Sequence, residues 1–159
     1  MTNVFMAKFH LVALGGTFDI LHKGHLALLQ KGFSVSSKVI IGLTSDELAT
    51  KKGKNLLHGY LERYHTLESM IRKNFPNSQF EISKLDNDFG PAVLEKEVEA
   101  LIVSEETTGK GNLLNKLRHE KQLSPVEIVS VPMVLASDGK RISTSRIKKS
   151  EIDAEGNLR

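Results

Sequence analysis

Five short apolar runs, separated by stretches whose apolar residues recur at helical spacing, constrain this 159-residue chain more than any other feature. The runs are His10 to Leu14 (HLVAL), Val39 to Leu43 (VIIGL), Phe80 to Leu85 (FEISKL), Leu101 to Val103 and Val126 to Val131 (VEIVSV). Short runs of this kind, rich in β-branched residues and closed by glycine or polar residues, predict strands. Between them, Leu26, Leu29 and Phe33 form one helical stripe, and Tyr60, Tyr64, Leu67 and Ile71 form a second that Pro76 should stop. Leu113, Leu114 and Leu117 form a third, and Pro91 to Glu97 suits a short helix with proline in its first turn.

Alternation of strand and helix implies a parallel sheet covered on both faces, that is, an α/β, doubly wound, Rossmann-like domain with five parallel strands. We expect residues 1–159 to form one such domain, with Lys148 to Arg159 (KKSEIDAEGNLR) as a charged, partly mobile tail. Ligands of such sheets sit at the carboxyl ends of the strands, where the strand order reverses. The chain has no cysteine, which excludes a disulfide scaffold, a thiolate nucleophile and a cysteine-based zinc site. No apolar run approaches the roughly 20 residues of a membrane span, and Met1 to His10 lacks a signal-peptide core, so the expectation is a soluble, cytoplasmic protein without a membrane partner. A net charge of +3 suits phosphate binding without calling for nucleic acid. Aromatic residues are 6% and tryptophan is absent, so platforms for stacking single strands are poorly supplied. No coiled-coil heptad or apolar surface repeat assigns an oligomeric state.

The end of the first run carries the strongest chemical signal. Gly15 to His25 reads GGTFDILHKGH. Gly15 and Gly16 allow a sharp turn and close approach of a ligand to the backbone. A helix then starts near His22 to His25, and its N-terminal amides and dipole favour an anion. Thr17 and His25 add side-chain donors. The dinucleotide fingerprint GxGxxG does not fit. An incidental strand-to-helix turn explains neither histidine. Asp19, His22 and His25 as metal ligands would lack a secure third donor.

A second polar cluster lies near the other end, where Arg141 to Lys148 reads RISTSRIK. Ser143, Thr144 and Ser145 before a helix can cap it or hold a phosphate, and Arg146 and Lys148 add charge. Thr50 to Lys54 (TKKGK) places three lysines in what reads as a glycine-containing loop. Ser104 to Lys110 (SEETTGK) fails as a P-loop, lacking its first glycine and a Ser or Thr after the lysine.

The two clusters together resemble the nucleotidyltransferase superfamily with the T/H-x-G-H signature. His22, Gly24 and His25 fall on that signature, and Ile142, Ser143, Thr144, Ser145 and Lys148 on its I-S-S-T/S-x-x-R/K segment. Across nearly the whole chain, IGLTSDELA (Ile41 to Ala49), DFGPA (Asp88 to Ala92), VSEET (Val103 to Thr107) and EIDAEGNL (Glu151 to Leu158) resemble the archaeal and eukaryotic phosphopantetheine adenylyltransferases. Cytidylyltransferases carry an RTEGIST type of segment where this chain has GKRISTS. The resemblance implies transfer of AMP from ATP to 4′-phosphopantetheine, by direct attack of the acceptor phosphate on the α-phosphorus, with Mg²⁺ as cofactor carried by the substrate phosphates. It implies catalytic roles for His25, Lys51 and Thr17, with Lys52 an alternative to Lys51. Nucleotide contacts would come from Gly15, Gly16, Thr17, Phe18, His22, Gly24, His25, Ser143, Thr144 and Ser145, and acceptor-phosphate contacts from Thr17 and Lys51. Alternatives are a glycerol-phosphate cytidylyltransferase, an FMN adenylyltransferase or a non-catalytic nucleotide- or RNA-binding module.

Overall fold

The five expected runs are all strands, joined in one parallel sheet in the computed structural model, which describes residues 7–90 and 96–159. They are β1 (Phe9–Gly16), β2 (Ser36–Thr44), β3 (Phe80–Leu85), β4 (Ala100–Ser104) and β5 (Glu127–Val131). The order across the sheet is β3-β2-β1-β4-β5, so the chain reverses its direction of growth between β1 and β4. Here β1 and β4 pair only at Val12 with Ala100 and Ala13 with Leu101, whereas β1 stays in register with β2 as far as Gly16. Beyond Ala13 the two central strands separate, which opens the crevice expected at a switch point.

Side chains alternate along the strands as the two-residue period requires. Val12, Leu14, Val39, Ile41, Leu43, Ala100 and Ile102 face a core shared with Leu29 of α1 (Lys23–Val35) and with Leu67 and Ile71 of α3 (Tyr60–Asn74). Ala13, Ile40, Leu101 and Val103 face the opposite core, capped by Leu114 of α4 (Gly109–Glu120). Helix α3 ends at Asn74, just ahead of Pro76. Among the described residues no helix is long and apolar enough to cross a membrane.

Two expectations change. The stretch after β2 is not a polar loop but α2 (Asp46–Lys51), capped by Ser45, whose hydroxyl accepts the Leu48 amide at 3.0 Å, with Asp46 and Glu47 in its first turn. The charged C-terminal tail is tied down: Ile152 is fully buried, and the Ser137 amide donates to the Gly156 carbonyl at 2.8 Å. The helix expected from Pro91 to Glu97 lies largely outside the described residues. A last short helix, α5 (Thr144–Lys148), follows the second polar cluster.

Helix α4 sits on the sheet where Gly111 meets β5. A Cβ at Gly111 would lie 2.3 Å from Cδ1, 2.6 Å from Cγ1 and 3.1 Å from Cγ2 of Ile128. Rotation about χ2 of Ile128 moves Cδ1 alone and leaves both γ carbons in place. Gly111→Ala should therefore lose about 1–3 kcal/mol of unfolding free energy despite the better helix propensity of alanine. Urea unfolding checks this, and adding Ile128→Val should recover part of the loss.

Candidate active site

The crevice is a cavity of about 710 Å³, a volume suited to a nucleotide-sized ligand. Gly15, Gly16, Thr17, Phe18, His22, Gly24 and His25 line it from one end of the chain, and Ser143, Thr144 and Ser145 from the other. Direct contacts join the two: the Thr144 hydroxyl donates to the Ile20 carbonyl at 3.3 Å, and the Lys148 ammonium reaches the Asp19 carboxylate at 2.7 Å.

The histidines form a reciprocal cap at the start of α1. His22 Nδ1 accepts the Gly24 amide at 3.0 Å, and His25 Nδ1 accepts the His22 amide at 3.3 Å. A neutral ring that accepts at Nδ1 carries its proton on Nε2. Burial pushes His22 down to about 4, and burial, then the charges of His22 and Lys54, push His25 down to about 3. Both rings are therefore neutral near pH 7, stacked with centroids 3.9 Å apart. The first-turn amides of Gly24 and His25 are taken by the His22 ring and carbonyl. With those amides consumed, the histidines offer a ligand their Nε2–H groups. Gly24 is needed beside them, since a Cβ there would lie 2.8 Å from the His22 ring.

Arg63, on α3, holds the turn before them. Its side chain is fully buried; its guanidinium donates to the carbonyls of Thr17 at 2.9 Å, Thr44 at 2.8 Å and His58 at 3.0 Å, and to the Asp46 carboxylate at 2.8 Å. Asp19 does the complementary work as acceptor. Its buried carboxylate takes the amides of Leu57 at 2.9 Å and His58 at 3.0 Å as well as Lys148. Burial raises the Asp19 pKa, but the hydrogen bonds from Lys148 and the two amides outweigh it and hold the group below the ordinary aspartate value. Between these anchors Phe18 has φ +52°, a left-handed conformation costing roughly 1–3 kcal/mol in a bulky residue. Its buried ring lies 4.8 Å from that of His25.

Of the three lysines, Lys52 and Lys54 line the cavity and Lys51 does not. Lys51 is the last residue of α2 and is exposed. Gly53, at φ +74°, turns the chain back after the helix, and Lys54 donates to the Thr17 hydroxyl at 2.9 Å. Lys52 also lines the cavity but is paired with Asp88. Desolvation, then the charges of Lys52, Lys110, Lys148 and Arg63, depress the pKa of Lys54. Desolvation and Lys52 likewise depress Lys110, which lines the cavity from α4.

In the second cluster the roles divide. Ser143 is the cap of α5, its hydroxyl accepting the Arg146 amide at 3.2 Å. Ser145 is exposed on the cavity wall. Arg146 does not line the cavity: it is turned to the carboxylates of Asp138 and Glu151 and to the Arg141 carbonyl. Arg63 and Lys54 were missed in the sequence. Position 63 falls on the apolar stripe of residues 60, 64, 67 and 71, and Gly53 marks the helix end that reverses the lysine run.

A parallel sheet opening at its switch point, with paired histidines and a Ser/Thr segment on a cation-rich crevice, is the architecture of a nucleotidyltransferase. The cytidylyltransferase-like family model matches residues 13–150, so the chain belongs to that family. Phosphopantetheine adenylyltransferase from Methanothermobacter thermautotrophicus is 38% identical over 151 residues, covering 95% of this chain and 90% of its own. The enzyme of the same name from Pyrococcus abyssi is 40% identical over 154 residues, covering 96% and 97%. Within the larger family, then, this chain is a member of the phosphopantetheine adenylyltransferases. Among solved structures, a protein of unknown function from Archaeoglobus fulgidus superimposes with TM-score 0.68 at 29% identity, over 77% of this chain and 89% of that one.

The site should reveal itself in stability. Because folding lowers the pKa of His22 and His25 from 6.5, their contribution is complete above about pH 6.5 and is lost as pH falls toward 4 and 3. Urea midpoints should drop between pH 7 and pH 5, above the range where the depressed aspartates matter, with a slope of at most about 1.4 kcal/mol per pH unit for each histidine. His25→Asn should remove one histidine's share of that slope. Arg63→Lys keeps the charge but loses the fork, and should cost about 1–3 kcal/mol in the same assay.

Proposed function

We propose that the chain transfers the adenylyl group of ATP to 4′-phosphopantetheine, giving dephospho-CoA and pyrophosphate. The observation that carries this reading is the pair of neutral, Nε2-protonated imidazoles on a cavity wall that also bears Lys52, Lys54, Lys110 and Lys148, against two carboxylates, Asp19 and Asp88, among the described residues. Such a site is built for a polyphosphate. Membership among the phosphopantetheine adenylyltransferases supplies the substrate pair.

An oxygen of the acceptor phosphate attacks the α-phosphorus in line. The bond from the α-phosphorus to the bridging oxygen breaks, and pyrophosphate leaves with the electron pair. A phosphate dianion needs no general base, so the protein works by placement and charge stabilisation. His25 donates its Nε2–H to an α-phosphate oxygen as negative charge accumulates there. A neutral imidazole can give this hydrogen bond without first surrendering a proton to the phosphate. The Thr17 hydroxyl accepts from Lys54 and keeps its own proton for the acceptor phosphate. Lys54 takes the position between the substrates that the sequence suggested for Lys51. Ser145, with Thr144 and Ser143 beside it, holds the β- and γ-phosphates. Mg²⁺ would be held by the triphosphate, since the carboxylates that line the cavity among the described residues, Asp19 and Asp88, are each paired with a lysine.

The direct test is incubation with ATP, Mg²⁺ and 4′-phosphopantetheine, with mass detection of dephospho-CoA. CTP as donor and glycerol phosphate or FMN as acceptor should yield no product. Product only with those substitutes would overturn the assignment. His25→Asn should lower kcat by about 10²–10³ with the fold intact. Lys54→Met should lower kcat/KM far more than Lys51→Met, which discriminates between the two lysines.

A further inference from the structure

Beyond the main core lies a third apolar cluster, made of Ala136, Ile142 and Ile152 with Val134 and Ile147 packed on it. Neither cluster on the sheet contains a buried residue after Val131. The third cluster is therefore a separate packing unit, and it lies directly behind the segment that presents Ser143 to Ser145 to the cavity. Ile142 belongs to both: it is buried against Ile152 and forms part of the cavity wall.

We propose that Glu151 to Arg159 act as a positioning strap for this segment, with Ile152 and Gly156 as its fixing points. The strap is folded back on itself, with Ile152 bridged to Leu158 and the Asp153 carboxylate accepting the amides of Glu155 and Asn157, both at 2.9 Å. Gly156 has φ +85°, and a Cβ there would lie 2.7 Å from Ile142 Cδ1 and 3.1 Å from Ala136 Cα. The chain crosses the loop of residues 134–142 at a distance only glycine permits. Two hydrogen bonds fix that crossing, from the Ser137 amide to the Gly156 carbonyl at 2.8 Å and from the Leu158 amide to the Ser137 hydroxyl at 3.2 Å. Arg146 closes the unit from within, bonding Glu151 of the strap, at 3.1 Å, and Asp138 of the loop. Glu155 also reaches Lys23, next to the capping histidine His22, at 3.3 Å. None of the strap's residues lines the cavity. They act through Ile142, and their effect falls on the triphosphate end of the site. This assignment of substrate end rests on the function proposed above.

The test compares Ile152→Ala and Ile152→Val with the full-length wild type by hydrogen exchange, fluorescent ATP-analogue titration and steady-state kinetics. In Ile152→Ala, exchange should rise at Ile142–Lys149 while β1, β2 and β4 stay protected. The Kd for the ATP analogue and the KM for ATP should rise about tenfold, with kcat and the KM for 4′-phosphopantetheine changed less than about threefold. Ile152→Val should return most of the affinity. Unchanged exchange at Ile142–Lys149, or exchange raised equally across the sheet, overturns the strap. So does a wild-type ATP affinity in a variant whose local exchange has risen. If the wild type made no dephospho-CoA, the proposed reaction would fail, and exchange would still decide the strap.

Discussion

The site depends on one buried cation. Arg63 sits under the carboxyl ends of β1 and β2 and donates hydrogen bonds to the carbonyls of Thr17, just past β1, and of Thr44, the last residue of β2. Carbonyls at strand ends are easily satisfied by water on a surface, but in the floor of a crevice they need a donor from the protein. A guanidinium supplies several donors in one rigid plane, which a lysine cannot. With Thr17 held from below by Arg63 and from the side by Lys54, and Asp19 held by Leu57, His58 and Lys148, the turn between them has no freedom left. The left-handed Phe18 is the result of that over-determination.

The electrostatics follow from the same enclosure. Desolvation lowers the pKa of the histidines and of Lys54 alike, but the consequences differ. The histidines lose their charge at neutral pH and become fixed dipoles. At Lys54 the depression comes also from crowding by the charges of Lys52, Lys110, Lys148 and Arg63. In the reaction proposed above, a polyphosphate would relieve that crowding on arrival, and charge-neutral histidines beside the reacting phosphorus would leave the cationic work to the side chains around it.

Much of the fold could be read in the residues, because strand and helix periodicities are local. The apolar runs at His10 to Leu14 and Val126 to Val131 and the stripe from Tyr60 to Ile71 all became the elements they predicted. Helix α2 could not be read that way, since six residues are too few to show a period and its lysines looked like a solvated loop. The histidine and serine segments were legible as a pair, whereas their chemistry was only half legible. That Nδ1 of both rings would be consumed in capping depends on the turn geometry, and that Lys54 rather than Lys51 would face Thr17 depends on the reversal at Gly53. Arg63 was hidden because a charge on an apolar stripe is ordinarily assigned to solvent. In the tail, eight of the twelve residues from Lys148 to Arg159 are polar or charged, and that composition masked the single isoleucine and single glycine that anchor it.

The contacts from Thr144 to Ile20 and from Lys148 to Asp19 span 124 and 129 residues of sequence, nearly the whole chain. Closing so long a loop is entropically costly, and nothing local rewards it beforehand. The histidine turn and the Ser/Thr segment can therefore meet only once the sheet between them has assembled, which places the closed crevice late in folding.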